Sequence, residues 1–389
     1  MMRGRRLWGL LAFLVANTFV NVVVGEVRTW DGRHSIEKID VFVVYFVPND
    51  RQPLTDWKRR VDYFCRRIEQ FHELEYDGQS VLKTTVEAKP FVSRLSTRQL
   101  REGDGDAIFF RTLREVDAHF DWNESDSEAF PIVLVLSEIN WRPLDDFYRL
   151  RQTENGLEFE GQFIESQHFP GATSGGARAT YLSREGKGWG LVSADGWRVP
   201  YRGSDCVVYH EGVGHTIGLP HPEPGNGSVM SFGQYRGWIS ESWLDKDQKV
   251  RLGWEPQSDT EKKNNDNLFR QFRAIPDPLE PKPGDEVSLK LDLPFDAIVQ
   301  SCIAEVQTDV HGPWLESTSS FRNASRADLS SISLGRFDRH TPVSYRVKVT
   351  LEDGRFEELW GDFQVGKPHE IASEMSRSVL LDEGPKSPG

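Results

Sequence analysis

Two short apolar runs constrain the fold more than any other feature of the chain. Residues 40–47 (DVFVVYFV) and 130–136 (FPIVLVL) are continuous stretches of β-branched, aromatic and aliphatic side chains. They are too short for buried helices and lack the alternation of a half-exposed strand, so each is read as a strand covered on both faces. Pro48, Asn49 and Asp50 end the first run. A helix is expected next, because Trp57, Val61, Phe64, Ile68 and Phe71 recur at three- and four-residue spacing with basic residues between them. Residues 81–92 alternate well enough for another strand, and 106–120 carry Ile108, Phe109, Leu113 and Val116 at helical spacing. Strand, helix, strand, helix, strand implies a mixed, mostly parallel sheet flanked by helices.

The stretch 161–202 is rich in Gly and Trp, and 179–182 and 189–192 read as short strands near a sheet edge. A helix capped by Ser204 or Asp205 follows, and a last one over 245–252 closes a first domain spanning 36–255. Residues 256–268 are polar and charged, a linker by composition. Beyond them, strand-like segments at 287–293, 297–306, 331–334, 343–351 and 357–365 are separated by turns, with a strong hairpin signal at Glu352, Asp353, Gly354 and Arg355. That rhythm over 269–366 predicts an all-β sandwich of immunoglobulin-like type, followed by a disordered tail over 367–389.

Arg3, Arg5 and Arg6 precede an apolar run ending at small residues near Gly25, so 1–25 reads as an export signal, or as an anchor if it is not cleaved. The protein is accordingly expected to be secreted or extracytoplasmic, with membrane contact only in the uncleaved case. A net charge of −13 argues against a nucleic-acid partner. Three cysteines, Cys65, Cys206 and Cys302, make no disulfide framework and are read as buried small hydrophobes. His72 and His119 are read as core histidines.

Chemistry concentrates at His210-Glu211-Gly212-Val213-Gly214-His215-Thr216-Ile217-Gly218-Leu219-Pro220-His221. Neutral imidazoles are good zinc ligands, and a catalytic zinc takes three protein ligands with a fourth place open to water. A carboxylate beside a ligand can take the proton of that water. Gly218 permits a sharp turn that returns His221 to the metal. One irregularity stands out: His210 and His215 are five residues apart. On a regular helix five residues turn the chain by roughly 140° beyond a full turn, whereas four leave an offset of roughly 40°. A π-bulge absorbs one inserted residue, and Gly212 and Gly214 ease it. Glu211 stands four before His215, so two ligand sets are open: His210, His215 and His221 with Glu211 as base, or Glu211, His215 and His221 with no base in the segment.

The segment resembles the metzincins, zinc peptidases with the motif H-E-x-x-H-x-x-G-x-x-H. His215, Gly218 and His221 match its second half, and Ser228-Val229-Met230, with Met230 nine residues after His221, resembles the family's Met-turn at matrixin-like spacing. The first half carries the one-residue insertion, which is similar to the H-E-x-x-x-H motif of the dipeptidyl peptidase III type, where both histidines are ligands and the glutamate is the base. The resemblance implies an α+β, zincin-like domain binding Zn²⁺, with Met230 beneath the metal. Astacins and serralysins place a tyrosine two residues after the Met; here Phe232 holds that position and Tyr235 lies three further on.

The implied function is hydrolysis of a protein or peptide substrate by metal-activated water, with 179–182 as a candidate edge for an extended peptide. The β-sandwich offers a surface for cell-surface or glycan contact. The alternative is a non-catalytic zinc-binding adhesion or recognition protein on the same fold.

Overall fold

The computed structural model of the chain describes residues 37–120, 128–141, 149–153, 156–160, 176–182, 186–256 and 267–366. The expected export segment, residues 257–266 of the expected linker, and the expected tail lie outside the described residues.

The two apolar runs become the centre of a six-stranded sheet. β1 (Lys38–Val47) pairs in parallel with β2 (Val81–Val86), with β3 (Phe91–Val92) and, on its other side, with β4 (Phe130–Ser137). The stretch expected to form one strand over 81–92 is two, because Pro90 offers no backbone donor to the ladder. Both faces of β1 are covered. Val41, Val43, Tyr45 and Val47 join one apolar cluster with α1 (Trp57–Glu75), while Val44 and Phe46 join another with α3 (Gly105–Asp117). A single turn, α2 (Thr97–Leu100), precedes α3, whose first turn is capped by the Asp104 carboxylate accepting from Ala107 N (2.9 Å). His72 is buried in α1 between Tyr209 and Ser80, as expected, but His119 is exposed, edge-on to Phe91, because it lies past the last turn of α3.

After a hairpin of β5 (Arg149–Thr153) and β6 (Gly156–Glu160), β7 (Ala177–Leu182) and β8 (Lys187–Val192) complete the sheet in the order β2-β1-β4-β8-β7. Only β7 is an edge. β8 lies inside, parallel to β4 and antiparallel to β7, although its glycines give it the composition of an edge. α4 (Ala194–Trp197) and α5 (Ser204–Tyr209) follow. Ser204 and Asp205 are not caps: Gly203 precedes the helix at φ +114°, the Ser204 hydroxyl donates to Tyr201 O, and Asp205 is committed to an ion pair with Arg67. α6 (Lys246–Arg251) starts at Asp245, close to expectation.

α7 (Asn267–Gln271) leads into β9 (Arg273–Asp277), β10 (Glu286–Asp292), β11 (Val299–Gln307), β12 (Leu315–Glu316), β13 (Ser331–Arg336), β14 (Thr341–Leu351) and β15 (Phe356–Val365). They form two antiparallel sheets, β13-β10-β9 and β12-β11-β14-β15, whose facing residues share one apolar cluster. The turn between β14 and β15 is the hairpin expected at Glu352–Arg355.

This β-rich part docks on α1. The basic residues between the apolar positions of α1 are partly buried: Arg60 and Arg67 are 0% exposed. Arg67 pairs with Asp205 (3.0 Å) and Glu357 (3.3 Å), Arg60 donates to Gln307 (2.7 Å), and Arg59 and Arg66 reach Glu358. Trp360 is buried in the α/β core cluster, its carbonyl accepting from Trp238 (2.7 Å). No helix of the described residues is long and apolar enough to cross a membrane. All three cysteines are buried and unpaired, as expected.

Candidate metal centre

α5 does not stop at Tyr209 but widens into a π-helical turn over His210–Gly214. Its signature is the hydrogen bond from His215 N to His210 O (3.0 Å), five residues apart, repeated from Leu219 N to Gly214 O (2.9 Å). The extra residue per turn turns the His215 ring back toward His210, as the counting argument requires. Gly218, at φ +89°, makes the left-handed turn that returns the chain. His221 then meets both rings.

The three Nε2 atoms face one another: 2.8 Å between His210 and His215, 3.0 Å between His210 and His221, and 3.2 Å between His215 and His221. The other ring nitrogen of two of them is fixed by the backbone. His210 Nδ1 donates to Val229 O (2.8 Å), and His215 Nδ1 donates to Leu219 O (2.8 Å). A carbonyl only accepts, so each Nδ1 carries the proton and each Nε2 presents a lone pair. Burial and the neighbouring His215 push the His210 pKa down to about 3, and burial lowers that of His215, so both are neutral at ordinary pH. Converging lone pairs repel unless a cation lies among them. Tetrahedral zinc at about 2.0–2.1 Å from each nitrogen spaces its ligands by about 3.3 Å, slightly wider than the spacing here. The donor set therefore fits a metal ion, and among the described residues these three histidines form the convergent group, without Glu211.

The floor of the centre is built by close backbone approach. A Cβ on Gly190 of β8 would stand 2.6 Å from the Glu211 carbonyl, and one on Gly188 would stand 2.9 Å from Thr216 Cβ. Those two glycines sit on one face of the strand and let the π-turn lie against it. A Cβ on Gly214 would collide with the sulfur of Met230, which is fully buried beneath the turn. Gly214→Ala is expected to cost about 1–3 kcal/mol by overpacking and to weaken metal retention in a chelator competition. Wild-type retention with an unchanged melting temperature would show that the contact with Met230 does not set the turn.

Glu211 is half-buried, and burial pushes its carboxyl pKa up to about 7, with Arg178 of β7 pulling the other way. Arg178 also pairs with Asp106. Phe232 is exposed and Tyr235 lies 6.5 Å from it, ring to ring. Cys206 is buried with its thiol toward Gly237 O (3.7 Å) and its pKa pushed well up by burial, in keeping with its reading as a packing residue. The orienting carbonyls of Leu219 and Val229 have no sequence signal, since any residue supplies one. Gly188 and Gly190 did have one: two glycines at a two-residue interval inside a strand signal a close neighbour.

No family model and no curated protein matches the chain. Solved structures similar to it include wild-type OgpA from Akkermansia muciniphila, at 12% identity and TM-score 0.31, covering 86% of this chain and 96% of that one, and catalytically inactive OgpA from the same organism in complex with an O-glycopeptide (glycodrosocin) substrate, at 12% identity and TM-score 0.27, covering 85% and 94%.

Proposed function

We propose that the chain is a secreted zinc-dependent peptidase, metzincin-like, with a zincin-like domain over 36–255 and an immunoglobulin-like β-sandwich over 269–366. His210, His215 and His221 would hold the metal. The observation that supports this most directly is the convergence of three Nε2 lone pairs through a π-turn that also carries Glu211, next to His210 in sequence. Bound zinc supplies a Lewis acid that polarises a carbonyl and acidifies water.

The chain's own residues do the rest. Glu211 accepts the proton of the attacking water and returns it to the leaving amine, a role suited to a carboxyl raised by its half-buried site. Val229 and Leu219 hold the imidazoles in register through their carbonyls. β7, the sheet edge beside β8, offers its outer backbone to an extended peptide, so main-chain hydrogen bonds would align the substrate without reading its side chains. The β-sandwich is the candidate surface for a cell-surface or glycan partner.

The test is metal content and cleavage measured on one sample. Elemental analysis is expected to find about one zinc per chain, and a chelator should abolish cleavage of a peptide library until zinc is restored. Full zinc occupancy without any cleavage would convert the proposal to a non-catalytic zinc-binding protein. Purified protein without zinc that still cleaves would remove the metal from the reaction.

A further inference from the structure

A second polar site lies at the other end of the sheet. The α5–π segment runs back along β8, with Glu211 against Gly190 and Thr216 against Gly188, so the histidines stand toward the amino ends of β4 and β8. At the carboxyl ends opens a cavity of about 480 Å³ lined by Arg51, Gln52, Glu138, Arg198 and His311. Arg51 follows β1, Glu138 follows β4, and Glu138 N donates to Phe46 O of β1 (2.8 Å). The chain leaves β1 for β2 on one side and returns to β4 on the other, so the gap between β1 and β4 is the sheet's topological switch point. Ligands of open α/β sheets bind in the crevice outside the carboxyl ends of the strands, at such a point.

The cavity's chemistry selects one class of ligand. Glu138 is fully buried, and its carboxylate is already engaged: Tyr45 OH donates to it (2.6 Å) and Arg198 Nε stands 2.6 Å away. Arg51 Nη1 donates to the carbonyl of Glu138 (3.2 Å), not to its carboxylate. Arg198 Nη2 lies 3.2 Å from His311 Nε2, and a guanidinium only donates, so Nε2 accepts and His311 carries its proton on Nδ1. Arg198 is thus held between Glu138 and His311, and Arg51, whose Nη1 meets a backbone carbonyl, brings a second guanidinium to the same cavity. Burying the Glu138–Arg198 pair costs more than a packed apolar cluster would, so stability alone does not account for it.

We propose that this cavity binds a small oxyanion, the carboxylate, sulfate or phosphate group of a molecule that fits its volume, with Arg51 and His311 as donors. The ligand would bridge the α/β sheet, through Arg51, to the β-rich part, through His311. This inference is independent of the peptidase reading.

Titration calorimetry of the full chain with sodium phosphate, sodium sulfate and sodium malonate, each against sodium chloride at constant ionic strength, tests it. Saturable binding of at least one anion is expected, weakened about ten-fold in Arg51→Gln and in His311→Gln, and unchanged after metal chelation. Phosphate and sulfate without malonate would assign a tetrahedral group, and malonate alone a carboxylate. Arg51 is half-buried and His311 exposed, so both variants should fold, which circular dichroism checks. The proposal falls if no anion binds saturably, if both variants bind as the wild type does, or if binding disappears with the metal.

Discussion

Glu211→Gln is expected to lower peptide hydrolysis by about 10²–10⁴-fold while leaving the bound zinc at its wild-type stoichiometry. The amide keeps the volume and polarity of the carboxyl but cannot take the proton of the attacking water. The three imidazoles form a complete donor group without Glu211, so their grip on the metal should not change. Two measurements on the same preparation decide the matter: steady-state cleavage of a peptide that the wild type cuts, and elemental analysis after dialysis. Zinc lost together with activity would make Glu211 a ligand, reviving the set with His215 and His221 and removing the base from the segment. Zinc kept with activity within a few-fold of the wild type would place the base elsewhere. His215→Ala is the control that separates these outcomes, since it should lose the metal and the activity together.

How far the sequence led depends on which surfaces the residues meet. β1 and β4 are legible because both of their faces are covered, so every position is apolar and the run carries its own signature. The π-turn is legible by counting, because a five-residue step from His210 to His215 leaves no other helical solution that brings both rings to one side. β8 reads as a short strand near a sheet edge and lies one strand in from it, with Gly188 and Gly190 in place of bulky side chains because the helix packs closely against it. Helix α1 is legible in part. Its periodicity locates the sheet-facing stripe, but the burial of Arg67 depends on Asp205 and Glu357, which lie far along the chain and are brought beside it only by the fold. A charge buried by pairing has the same local pattern as a charge in water. Nothing within a window of one helix distinguishes the two.

That hidden pairing carries the second large prediction: Asp205→Ala is expected to destabilise the protein by about 3–5 kcal/mol, the usual effect of removing one partner from a buried pair. Asp205, Arg67 and Glu357 are all essentially inaccessible to water. The Asp205 carboxylate accepts from Arg67 Nε and from the backbone of Cys206 (3.1 Å) and Ile239 (2.9 Å), so alanine leaves several buried donors short of an acceptor. Asp205→Asn, which keeps one acceptor oxygen, should cost less, and denaturant unfolding of both variants ranks them. The consequence should extend to the metal centre. Asp205 sits five residues before His210 on the segment that presents the imidazoles, and Arg67 ties that segment to Glu357 of β15. Loosening it should let the π-turn drift, so zinc should be lost to a chelator faster from Asp205→Ala than from the wild type under conditions where both are folded. Equal retention would mean that the β-rich part stabilises the protein without helping to position its histidines; faster loss would make β15 part of the scaffold of the centre, reaching it through Arg67 and the helix.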